Sequence, residues 1–110
     1  MSKAHMPHWR YVALRLHSER PPSRRALQTA LTAAARAAGV PEDRLPELTR
    51  FEWPHAIVRF RHMDVAAGRA WLPLLSEVRD GGAVAVRLET LSTSGTIKSL
   101  TDRLGILAKR

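Results

Sequence analysis

The chain has 110 residues, no cysteine and a formal net charge of +8 at pH 7. That length fits one compact domain with one modest core and gives no reason to look for a second. Without cysteine neither disulfides nor cysteine zinc sites can form, and a reducing cytoplasmic setting fits; the longest apolar runs fall far short of the roughly 18 residues a membrane span requires, so a soluble protein with no membrane segment is expected.

The charge sits toward both ends of the sequence. Residues 1–39 carry a net +6, residues 40–82 a net −1 and residues 83–110 a net +3, and fifteen of the 18 basic residues are arginine. The planar guanidinium fork suits phosphate oxygens and base edges. Charge therefore favours nucleic acid as the partner class, although the base composition of the gene is a rival account of an alanine- and arginine-rich chain.

In chain order, residues 1–8 show no apolar periodicity and read as a flexible arm; His5 and His8 are not expected to hold a metal. From Trp9 to His17, Val12, Leu14 and Leu16 alternate with Tyr11, Ala13, Arg15 and His17, the pattern of a strand covered on one side. Glu19-Arg20-Pro21-Pro22 ends it. Ser23 then stands where an N-cap belongs before a helix over Arg24 to Ala38, with Gly39 as its stop and Leu27, Ala30, Leu31, Ala34 and Ala38 as its packing stripe. Val40 to Glu47 reads as a connection. Leu48–Trp53 and His55–His62 read as a hairpin around Pro54; in its second strand Ala56, Val58 and Phe60 alternate with Ile57, Arg59 and Arg61, one face apolar and the other largely basic.

Asp64 is expected to cap a second helix over Val65 to Val78 with Ala67, Trp71, Leu74, Leu75 and Val78 as its stripe, kinked near residues 69–72 by Pro73. Asp80-Gly81-Gly82 is a turn. A strand over Ala83 to Thr90 places Val84, Val86 and Leu88 opposite Ala85, Arg87 and Glu89. A final helix over Thr96 to Leu104, stopping at Gly105, is expected to close the core with Ile97, Leu100 and Leu104. Residues 9–104 thus form a single domain and residues 105–110 a basic tail.

Between that last strand and helix lies Ser92-Thr93-Ser94-Gly95-Thr96-Ile97-Lys98. Helix N-termini present unpaired N–H groups and the positive end of the macrodipole. The run fits two roles, an ordinary cap supplied by Ser94 or Thr96, or a phosphate seat in which Gly95 allows close approach or a positive φ and Lys98 adds charge. It is no Walker A loop, because the glycine-rich spacer and the adjacent Lys-Ser/Thr pair are missing.

The order β-α-β-β-α-β with an added helix is the ferredoxin-like, RRM-like split βαβ pattern of α+β proteins: a four-stranded antiparallel sheet, two helices on one face, and a C-terminal helix. Strands one and three should be central. Arg15, Arg59, Arg61 and Arg87 then share the face away from the helices, where RRM folds bind RNA. The aromatic set of a standard RRM is absent, with Tyr11 the one obvious candidate on that face, so base-by-base readout is not expected. Trp9, Trp53 and Leu107 read equally as a protein-partner surface or as residues buried under the arm or tail.

Four pieces of sequence stand in a telling order: Arg10-Tyr11 opening strand one, Ala56-Ile57-Val58-Arg59 opening strand three, a helix with a glycine-containing turn, and Ser94-Gly95-Thr96-Ile97-Lys98 opening the last helix. Over residues 9–104 the chain resembles the small protein subunit of archaeal and eukaryotic ribonuclease P known as component 2. Two positions depart from that family's habit, Phe60 in place of a frequent cysteine and Thr93 in place of a valine, and neither touches the glycine or the lysine. The resemblance implies an RNA-binding subunit of ribonuclease P, which removes the 5′ leader of precursor tRNA. It implies chemistry performed by the catalytic RNA subunit and a TIM-barrel protein subunit as partner; no cofactor is expected. Candidate RNA contacts are Arg15, Arg59, Arg61 and Arg87 from alternation, Ser94, Gly95, Thr96 and Lys98 from the turn, and Arg10 from the resemblance. No catalytic constellation is legible. A ferredoxin-like module binding a small-molecule regulator at Ser94-Gly95-Thr96 is the alternative, disfavoured by charge; a small transferase using Ser94 or Thr96 with His55 or His62 ranks below it.

Overall fold

A computed structural model describes the backbone of residues 8–104 and the side chains of residues 8–102. Most of the arm, the basic tail, Gly105 and the side chains of Leu104 and Leu107 lie outside the described residues. Trp9–His17 forms β1, within which Val12, Leu14 and Leu16 are buried as alternation predicts. Ser23 caps α1 (Arg24–Ala37), its hydroxyl accepting the Ala26 N–H at 3.1 Å, and Gly39 leaves the helix at φ +92°. The fully buried stripe of α1 is Leu27, Leu31 and Ala35. Ala38, expected on that stripe, is exposed because the helix has already ended at Ala37.

β2 (Glu47–Glu52) and β3 (His55–Arg61) form the hairpin around a cis Trp53–Pro54 peptide. The main sheet is four-stranded and antiparallel, in the order β2-β3-β1-β6, where β6 is Arg87–Ser94; β1 and β3 are central. Helix α1 and α2 (Val65–Trp71) cover one face. There Val12, Leu14, Val58, Phe60 and Leu88 meet Leu27, Leu31, Trp71 and Leu72 in the main core, which is the ferredoxin-like split βαβ architecture.

Four expectations are corrected. Pro73 ends α2 instead of kinking it: having no N–H, proline cannot continue the i→i−4 ladder, so residues 72–74 tighten into a 3-10 turn and Leu75 becomes extended. The helical stripe therefore stops at Trp71, Ala67 and Leu74 are exposed, and Val78 packs into the core from a strand. At the start of α2, Asp64 makes no cap bond; its carboxylate takes both forks of the Arg44 guanidinium, at 3.0 and 3.1 Å. The expected strand over 83–90 divides at Val86. β5 (Ala83–Ala85) pairs with β4 (Glu77–Arg79) across the Asp80-Gly81-Gly82 turn as a separate hairpin, while β6 joins the main sheet and runs on to Ser94. Finally α3 (Ile97–Leu104) does not close the main core. It lies on the opposite face of the sheet, where Leu100 packs with Ala13 and Ile57 in a second small cluster.

Candidate nucleic-acid interface

The register of the sheet decides what the outer face presents. Trp9 pairs with Arg61, Tyr11 with Arg59, Ala13 with Ile57 and Arg15 with His55. On the other side of β1, Tyr11 pairs with Ser94, Ala13 with Ser92, Arg15 with Glu89 and His17 with Arg87; a bulge at Leu91 turns that side chain onto the outer face. Leu100 of α3 is seated on Ala13 and Ile57, and Ile97, Leu91 and Tyr11 are half-buried around it. This explains why Ile57 and Ala13, on the face expected to be basic, are fully buried. It also divides the expected arginine face, since four residues along a strand separate Arg15 from Tyr11, about 13 Å.

At the Trp9 end the guanidinium carbons of Arg59 and Arg61 lie over the Trp9 ring, 4.1 and 5.1 Å from its centroid. A cation on an indole face is attracted by the ring quadrupole. Arg59 also pairs with Glu47 across the β2–β3 ladder. The Nε atoms of Arg59 and Arg61 are buried and have no hydrogen-bond partner. Next to this group His62 donates its N–H to the His8 carbonyl at 2.8 Å, the two imidazoles meet edge to face at 5.4 Å, and Met63 is exposed.

The other end is more nearly neutralised. His17 Nε2 lies 2.8 Å from the Glu89 carboxylate, and this contact, with Arg87 and Arg15 beside it, holds the Glu89 carboxyl below its usual range. The His55 imidazole is pushed below its ordinary value by burial first and by Arg15 second. Arg15 and Arg87 are exposed but share that carboxylate's field.

In the turn before α3, Thr96 is the cap: its hydroxyl accepts the Ser99 N–H at 3.1 Å, while Ser94 Oγ accepts the Thr96 N–H at 3.3 Å. Gly95 has no positive φ, unlike Gly39, Gly81 and Gly82, which removes one of the two roles expected of it and leaves close approach. A Cβ there would meet only the Arg10 guanidinium, at an ordinary 3.7 Å. Lys98 reaches along the helix to Asp102 at 2.8 Å, which raises its pKa through that hydrogen bond and the charge behind it.

Of the sequence-predicted residues, the structure thus gathers Arg10, Arg59, Arg61, Ser94 and Gly95 at the Trp9 end and leaves Arg15 and Arg87 at the other; Thr96 caps α3 and Lys98 lies on its exposed side. Two members of the group escaped the sequence reading. Trp9 has the parity of Tyr11 and could have been placed on this face by alternation; Glu47 was assigned to a connection just short of the strand it begins. Among the described residues no group of three or more His, Asp or Glu side chains could hold a metal ion, and no helix is long and apolar enough to cross a membrane.

No family model and no curated protein matches the sequence. Among solved structures, the fold is similar to that of a chain in the cryo-EM structure of yeast ribonuclease MRP, with a TM-score of 0.61 at 16% identity, covering 92% of this chain and 87% of that one. At such identity the likeness is one of fold.

Proposed function

We propose that this chain is an RNA-binding subunit of an RNA-processing ribonucleoprotein, and specifically the component 2-like subunit of ribonuclease P, assisting a catalytic RNA in removing the 5′ leader of precursor tRNA. The observation that carries the reading is the gathering of Arg10, Arg59, Arg61 and the Ser94–Gly95 turn at one end of a sheet whose fold is shared with a chain of ribonuclease MRP. A net charge of +8 supports it, because lysine and arginine side chains that neutralise phosphates release condensed counterions. In this reading Arg10, Arg59 and Arg61, with Ser94, Gly95, Thr96 and Lys98, form the main RNA contact, and Arg15 and Arg87 a second, weaker one. The protein supplies binding and orientation, the RNA subunit supplies the chemistry, and a TIM-barrel protein subunit is the protein partner.

The test is co-expression with a tagged copy of the chain in cells that supply the partners. A large structured RNA and a TIM-barrel protein should co-purify with it. A monomer free of nucleic acid, with no such protein in the eluate, would overturn the assignment.

A further inference from the structure

The Trp9 cluster holds more than a phosphate-binding patch requires. Arg59 and Arg61 stand two residues apart on the same face of β3, and both place a guanidinium over one indole ring. Glu47, itself exposed, is the carboxylate that pairs with Arg59. The indole ring and the Glu47 carboxylate offset repulsion between the two cations, but each arginine still buries an Nε with no hydrogen-bond partner, and a buried donor without an acceptor forfeits its hydration. Arginines that served phosphate alone would do better extended into solvent. What this arrangement creates is a cluster of planar groups, Trp9 with two guanidinia, half-buried at the ends of the two central strands and followed by Tyr11 on the same face. Helix α3 covers the middle of that face over Ala13 and Ile57 and leaves the Trp9 end partly open.

Planar aromatic and guanidinium surfaces are what an unstacked nucleobase binds, because every base offers a π-face whatever its sequence. A base inside a duplex has both faces occupied by its neighbours and cannot use such a surface. We infer that the Arg59–Trp9–Arg61 stack is a binding site for an unpaired nucleotide in a single-stranded segment of RNA, with the base stacked on this planar group and the adjoining phosphates drawn to Arg10 and to the guanidinium edges. The inference rests on the RNA-binding reading above and adds selectivity for single strands, which that reading leaves open. The competing account is that the stack is a staple holding the start of β1 to β3.

The experiment uses the full chain with two probes, fluorescently labelled decauridine and a ten-base-pair RNA duplex, read by anisotropy across a salt series. Trp9→Ala should weaken decauridine binding by about five- to a hundredfold, the range measured for loss of one stacking partner, and leave duplex affinity and both salt slopes at the wild-type values. Trp9→Phe, which keeps a π-face, should retain most of the decauridine affinity. Arg61→Lys, which keeps the charge and loses the plane, should lose selectivity for the single strand without changing the slope; it decides the question if Trp9→Ala fails to fold. Equal losses on both probes, or no loss on either, would overturn the inference while leaving RNA binding itself intact. If the wild-type chain bound neither probe, the RNA-binding reading and this inference would fall together.

Discussion

Replacing Leu100 by alanine separates the two cores of this protein. Leu100 is fully buried, yet its buried neighbours are Ala13 and Ile57 of the outer sheet face, not the main core. Helix α3 has eight residues, well under the roughly 12 to 15 at which an isolated helix becomes even marginal in water. It therefore persists only while docked, and among the described side chains the docking rests on Leu100, a half-buried Ile97 and a buried Thr101. The Lys98–Asp102 pair is exposed at both ends and adds little. Removing a buried leucine side chain costs about 2 to 5 kcal/mol, and Leu100 is the one fully buried apolar side chain among the described residues of α3. The variant should release α3 while the main sheet stays folded. Hydrogen exchange should show residues 97–104 losing protection selectively, with the amides of β1 and β3 still protected. The melting temperature can fall only by what docking contributed, whereas Leu14→Ala in the main core should lower it by about 8 to 20 °C, taking about 4 °C for each kcal/mol. If Leu100→Ala lowers the melting temperature as far as Leu14→Ala does, with no selective loss of protection in α3, the two clusters are one cooperative core and the reasoning fails.

A Cβ at Gly68 would lie 2.5 and 2.7 Å from the Phe60 ring, so Gly68→Ala should destabilise by about 1 to 3 kcal/mol despite alanine's better helix propensity; a urea midpoint at or above wild type would contradict the close packing of α2 on β3. Arg61→Ala should flatten the slope of log K against log salt for RNA by about 0.7 to 0.9, while Arg59→Ala, whose charge is met by Glu47, and Arg87→Ala, whose charge is partly met by Glu89, should each flatten it less; an effect of Arg87→Ala as large as that of Arg61→Ala would argue against a main contact at the Trp9 end. His55 has a folded pKa below its usual 6.5, so the unfolded chain binds that proton more readily. Its contribution is complete above that value and is lost as pH falls through it toward the folded pKa. His55→Gln should flatten the stability curve in that window in denaturation series, and an unchanged curve would remove His55 from the account.

Local chemistry carried much of the fold. Alternation from Trp9 to His17 marks a strand because side chains of period two must face opposite sides; Ser23 and Gly39 bound α1 because a hydroxyl accepts an orphan N–H and a glycine takes φ +92° at little cost. Asp80-Gly81-Gly82 marks its turn for the same reason. These signals need no knowledge of distant partners, and their order implies the split βαβ pattern. Pro73 was visible too, but whether a proline kinks or ends a helix depends on what receives the chain beyond it. Here a strand position for Val78 beside Val84 makes the break the better solution.

The arginines of the sheet face were legible only as a parity. Alternation put Arg15, Arg59, Arg61 and Arg87 on one face, and they do share it, but parity is blind to position along a strand. Register is set by pairing across the chain, and it placed Arg59 and Arg61 at Trp9 and Arg15 and Arg87 at His17. The outer placement of α3 was likewise beyond local reading: its apolar residues fit either side of a sheet, and the bulge at Leu91, which turns that residue toward Ala13 and Ile57, exists only once β6 is paired with β1. Strand, cap and turn were properties of this sequence taken a few residues at a time. The stack of Trp9 with two arginines belongs to residues some fifty positions apart, and only the tertiary structure, by paying the chain entropy that joins β1 to β3, could bring them together.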